Sequence, residues 1–146
     1  MVKLNWLICL LGLVSLLGCG KAAPALTEIS GTVTFKGQPI PAGDVNFTPD
    51  VSISGGQSRM YMVKDGKYDS AQKQKDGSVP GGLLPGKYKV RVAGYDGKQV
   101  PMFMDGKQIF NAIELEMEIG TGKVTQNFEV PDSAGENVKF IETADF

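Results

Sequence analysis

The sequence predicts an all-β protein, an antiparallel β-sandwich of about seven short strands with Greek-key connections, on two observations. Apolar and polar residues alternate with period two in one short segment after another, which sorts side chains onto a buried and a wet face. The segments are punctuated by turn residues, Gly and Pro being abundant at 19 and 8 of 146 residues, and no helical periodicity intervenes. A closed barrel is the alternative architecture.

The chain divides into three parts: an export signal over 1–18, a tether over 19–27 and one domain over 28–146. Met1, Val2 and Lys3 give a short positive start, and Leu4 to Leu17 is a run of apolar and small residues broken only by Asn5 and Ser15. As a helix this run reaches about 21 Å, short of the roughly 30 Å of a hydrocarbon core, so it reads as an export signal and not as a permanent span. Its end, Leu16-Leu17-Gly18-Cys19, resembles the lipobox of bacterial lipoproteins. That resemblance implies cleavage before Cys19 and acylation of its thiol, anchoring the chain to a lipid bilayer. Gly20, not Asp, follows the cysteine, which by the same resemblance favours the outer membrane. Ala23-Pro24-Ala25 keeps ordinary secretion open as an alternative. Removing the first 18 of 146 residues leaves 128, enough for one core.

The domain's strands follow in order. Ile29, Gly31, Val33 and Phe35 face one way, and Ser30, Thr32, Thr34 and Lys36 the other; Lys36-Gly37-Gln38 turns the chain. Val45 and Phe47 alternate in a second strand, a loop spans 49–57, and Met60 to Val63 form a third strand that is apolar on both sides. Asp65-Gly66 tolerates positive φ at both residues and predicts a tight hairpin, with Tyr68 starting the return. After a polar loop over 71–82, Tyr88, Val90 and Val92 alternate with Lys87, Lys89 and Arg91. Ile113, Leu115, Met117 and Ile119 then alternate with Glu114, Glu116 and Glu118, so antiparallel pairing sets Lys and Arg opposite Glu. Gly120-Thr121-Gly122 reads as a hairpin turn, Val124, Phe128 and Val130 as one further strand, and Val138 to Ile141 as a short edge.

The motif order Gly31-Thr32-Val33-Thr34-Phe35, Gly37-Gln38-Pro39-Ile40-Pro41, Asp65-Gly66-Lys67-Tyr68 and Leu84-Pro85-Gly86-Lys87-Tyr88 resembles carboxypeptidase-regulatory-like domains. The resemblance implies a transthyretin-like sandwich and no reaction. Two insertions, 71–82 and 93–112, depart from the compact family pattern.

Composition removes several function classes. With no histidine in the chain, His-based acid–base catalysis, His-activated nucleophiles and His metal sites are excluded. Lys plus Arg number 15 against 16 Asp plus Glu, which gives no electrostatic case for nucleic acid. Only Cys9 and Cys19 are present, and the first leaves with the signal, so the mature chain forms no internal disulfide. Gly120-Thr121-Gly122-Lys123 lacks the earlier glycine and the Ser or Thr of a phosphate loop. Asp65, Asp69 and Asp76 do not follow a calcium-loop spacing and read as turn residues.

No enzyme, cofactor or metal is expected. The remaining candidate is the stretch 101–110, in which Asp105-Gly106 stands between Met102, Phe103 and Met104 on one side and Ile109 and Phe110 on the other. It reads as an extra hairpin that either offers an apolar contact surface to an envelope protein or glycan, or folds back to cap the core. A small ligand held between this hairpin and the sandwich is the alternative function.

Overall fold

The computed structural model describes residues 25–99 and 105–138. The signal, Cys19, Met102 to Met104 and the segment past Val138 lie outside the described residues. Nine strands and a single 3-10 turn are present among them: β1 (Glu28–Phe35), β2 (Gln38–Pro39), β3 (Ala42–Pro49), β4 (Arg59–Lys64), β5 (Lys67–Asp69), β6 (Gly86–Tyr95), β7 (Ile113–Ile119), β8 (Lys123–Thr125) and β9 (Phe128–Val130). Among the described residues no helix is long and apolar enough to cross a membrane. The described residues are all-β, as their alternation predicts.

The strands run in the order β2-β1-β5-β4-β3-β6-β7, with β8 and β9 both pairing β1. Most pairings are antiparallel, but β8 and β9 lie parallel to β1. The sheet curls into a half-barrel, consistent with a sandwich, and the turn after β7 comes against the start of β1. There the Thr27 hydroxyl donates to the Gly120 carbonyl at 2.6 Å, and the Glu28 amide donates to the Gly122 carbonyl at 2.9 Å. The expected hairpin at Gly120–Gly122 is therefore corrected: these glycines form a corner where the chain leaves one sheet edge and joins the other. Side-chain period cannot reveal this, because it fixes which face a residue takes and not which strand it pairs with.

The single closing strand expected over 124–130 is broken in two for the same reason. At Gln126 and Asn127 the chain passes from one half of β1 to the other, and the Gln126 amide donates to the Ser30 carbonyl at 2.8 Å. The Asn127 side-chain oxygen accepts from both the amide and the hydroxyl of Thr32, each at 3.0 Å. Gly31 makes the crossing possible, since a Cβ there would stand 1.8 Å from the Gln126 carbonyl oxygen.

Both tight hairpins use paired positive φ angles, Lys36 at 52° with Gly37 at 71°, and Asp65 at 49° with Gly66 at 73°. That is the turn whose twist matches the flanking strands. The register of β6 on β7 places Lys87 opposite Glu118, Lys89 opposite Glu116 and Arg91 opposite Glu114, as the charge pattern predicts. β6 itself runs to Tyr95, three residues into the stretch read from sequence as the second insertion.

The inner face is aromatic. Tyr68 is sandwiched between Tyr61 and Phe128 with ring centroids 6.2 and 6.0 Å away, and Phe47 meets Tyr61 edge-on at 5.6 Å. Each such pair adds about 0.5–1.5 kcal/mol beyond its buried area. The buried tyrosines keep their hydroxyls satisfied by donating to backbone carbonyls outside the strands: Tyr61 to Gly81, Tyr68 to Gln126 and Tyr88 to Leu84, at 2.7 to 2.9 Å. Burial pushes all three phenols above their ordinary range. Two of these bonds reach into the irregular segments, so the core also pins the first insertion and the β8–β9 crossing.

Candidate functional site

The outer face of β3, β4 and β6 gathers the groups whose chemistry is least ordinary. Asp44 on β3 lies opposite Met62 of β4 and Ala93 of β6. Only 14% of its side chain is exposed, and Arg91 Nη1 stands 3.8 Å from Oδ1. The Tyr95 hydroxyl donates to Oδ2 across a long 3.4 Å. Burial raises the Asp44 carboxyl above its usual range, although Arg91 and Tyr95 pull it down; the charge of Asp105 adds to the rise. Tyr95 is raised in turn, by burial first and then by the Asp44 charge.

Asp105 reaches this face because the second insertion does not fold as the sequence suggests. The amides of Asp96 and Gly97 donate to the carbonyls of Lys107 and Asp105, and the Ile109 amide donates to the Gly94 carbonyl, at 2.9 to 3.0 Å. The returning arm thus continues the β6 ladder, with Tyr95 opposite Gln108. Asp105-Gly106 sits in that arm, so the hairpin expected over 101–110 with this pair at its tip is corrected. Asp96 organises the turn: its Oδ1 accepts the amides of Lys98 and Lys107, both at 3.0 Å, and these bonds hold its carboxyl below the usual range. Gly106, at φ +88°, leaves space for that carboxylate, since a Cβ would stand 1.9 Å from its oxygen.

Of the expected contact residues, Met102, Phe103 and Met104 lie outside the described residues. Phe110 is corrected as a surface residue, because it has no exposed surface. Its ring lies 5.1 Å from that of Phe35, in a space that exists because Gly94 has no Cβ; one built there would stand 2.4 Å from the ring. Ile109 is partly buried against the same core. Both residues cap the sandwich.

The first insertion approaches the same face. Asp69 and Asp76 accept local amides, Ala71 at 2.7 Å and Ser78 at 2.9 Å, and Asp76 also accepts the Ser78 hydroxyl, which keeps it ionised. Lys75 reaches across to pair with Asp105, joining the two insertions. Beneath the first insertion an open cavity of about 300 Å³ has Met60 and Met62 on its floor and Gln74, Asp76 and Ser78 on its wall. Sequence reading singled out both insertions but carried no sign that they meet, nor that Asp44 differs from any other polar residue of a wet strand face.

A larger open cavity, about 570 Å³, lies at the other end of the face, lined by Thr48, Asp50, Lys87, Lys89, Glu116 and Glu118. Here the charges oppose one another across β6 and β7. It is a solvated charge ladder, which fixes register more than it recognises a ligand.

No protein-family model matches the chain, and no curated protein matches it. Among solved structures, the chain is similar to the crystal structure of a DUF3823 family protein from Parabacteroides merdae ATCC 43184, with 16% identity and a TM-score of 0.41. The similarity covers 73% of this chain and 46% of that one, so the chain spans about half the length of that structure.

Proposed function

We propose that the chain is a lipoprotein of the bacterial cell envelope, held to a membrane by acylated Cys19, the outer membrane being favoured. Its domain is a non-enzymatic binding or structural module of the carboxypeptidase-regulatory-like, transthyretin-like kind. It contacts an envelope protein or glycan through its loops. The observation that carries the contact reading is the Lys75–Asp105 pair: two insertions, distant in sequence, close over one face of the sheet. A surface assembled from irregular segments on a rigid scaffold is the usual way a sandwich acquires specificity. The anchor is supported by the Leu16-Leu17-Gly18-Cys19 spacing and by the short tether, which leads directly into the first bridge at Thr27.

Mass spectrometry of the mature N-terminus tests the anchor. A diacylglyceryl-modified Cys19 is expected, with Cys19→Ala moving the protein from membrane to soluble fractions; an unmodified start at Leu26 overturns it. Contact is tested by capture from envelope extracts, comparing the wild type with Phe103→Ser and Lys75→Glu. A partner retained equally by all three removes both insertions as its site.

The second reading, a small-ligand carrier, is favoured by one observation, the cavity under the first insertion with Met60 and Met62 on its floor. A ligand seated there is displaced by a bulky Ser78→Trp, whereas a flat partner surface centred on Phe103 is not.

A further inference from the structure

Alternation along β4 sends Tyr61 and Val63 into the core, where they are 0% and 2% exposed. It therefore turns Met60 and Met62 together onto the opposite face. That face is polar on the neighbouring strand, with Asn46 opposite Met60 and Asp44 opposite Met62. Two thioethers in this position add nothing to the core, and Met60 is 51% exposed. Residues i and i+2 of a strand stand roughly 7 Å apart, and each thioether swings on three rotatable bonds. Both sulfurs therefore reach a single point above the strand, at the floor of the cavity they share.

We propose that Met60 and Met62 form a binding site for a soft monovalent cation, Cu(I) or its chemical analogue Ag(I), at this cavity. Thioethers are soft donors that select Cu(I) over Mg, Ca or Mn, which take oxygen ligands. The chain has no histidine, and its thiols are Cys9 and Cys19 alone, so within the domain soft ligation falls to methionine. The cavity wall suits a cation. Asp76 is held as a carboxylate by the amide and hydroxyl of Ser78, Gln74 and Ser78 line the cavity as uncharged residues, and the ammonium of Lys75 is compensated by Asp105. The site shares its face with the ligand-carrier reading and supplies that reading with a ligand class. It stands apart from the anchor and from partner capture, which a chain that binds no soft cation leaves untouched.

The test uses the full chain in detergent with Cys9→Ser and Cys19→Ser, so that no thiol competes. Ag(I) titration followed by methionine methyl NMR is expected to shift the Met60 and Met62 signals together, saturating at one equivalent, while Met117, on the other face of the sheet, stays in place. Cu(I) supplied anaerobically as its weakly held acetonitrile complex is expected to be taken up by this chain and not by one carrying Met60→Leu and Met62→Leu. These exchanges conserve volume at exposed or half-exposed positions, so the fold is retained, which an unchanged melting curve verifies. If the double variant fails to fold, the methyl shifts of the unsubstituted side chains decide alone. Absent shifts, or affinity that survives the double variant because Met102 and Met104 or other groups carry it, overturn the proposal.

Discussion

The inner and outer faces of the sheet are built by different physics. Inside, Tyr61, Tyr68, Phe128 and Phe47 form a ring of contacts in which each aromatic centroid lies within 6.4 Å of two others, and a change in volume is felt at once because the interior is close-packed. Outside, the insertions join the fold through backbone bonds such as that of Ile109 to Gly94, and their exposed parts add carboxylates that accept amides and the Lys75–Asp105 pair, whose charges water and salt attenuate. The difference separates what holds the core from what holds the exposed parts of the insertions: close packing on the inner face, polar bonds and an ion pair on the outer.

Four substitutions sharpen that division. The largest effect is expected from Gly31→Ala, where the new Cβ meets a backbone carbonyl at 1.8 Å. Backbone cannot swing aside as a side chain can, so a loss of about 3 kcal/mol or more is expected in denaturant unfolding. A loss under 1 kcal/mol would mean that the β8–β9 crossing is loosely held. Tyr68→Phe keeps the ring stack and removes the bond to Gln126. It should cost about 1 kcal/mol, and more if the Gln126 carbonyl finds no other partner.

Lys75→Ala breaks a pair whose side chains are 56% and 31% exposed, so global stability changes by no more than about 0.5 kcal/mol. Hydrogen exchange should nonetheless quicken at the amides of Asp96, Gly97 and Ile109, which tie down the second insertion. If the insertion and the core melt together, the two faces are not independent.

The smallest change is a gain. The folded carboxyl of Asp44 lies above its ordinary 3.8, so the native state binds that proton more firmly than the unfolded chain. The contribution is whole below 3.8 and declines as pH rises through the elevated native value. Asp44→Asn removes the cost of a buried charge and should raise the melting midpoint slightly at neutral pH, with the advantage vanishing in acid. A lower midpoint at neutral pH would show that attraction to Arg91 outweighs desolvation.

The inner face was legible in the sequence because burial and alternation are the same fact. β1, β4 and β7 fall where Ile29 to Phe35, Met60 to Val63 and Ile113 to Ile119 place them, and the Lys and Arg row faces the Glu row. The outer face was not legible. Asp96-Gly97, the pair that begins the second insertion's turn, stands only nine residues before Asp105-Gly106, and both dipeptides carry the same local signal. Tertiary pairing with Gly94 decided between them. Likewise the choice between contact surface and core cap for Phe110 stays open in the sequence until Gly94 is known to leave its ring a recess.

The clasp between β1 and the parallel strands β8 and β9 sets an order of assembly. The earliest strand to emerge during synthesis has no neighbour on one flank until residues 123–130 are available, almost a hundred positions later. Contacts of such long sequence separation close slowly. A nascent chain stopped short of Phe128 therefore has an unsealed seam along β1, which closes only when β9 arrives.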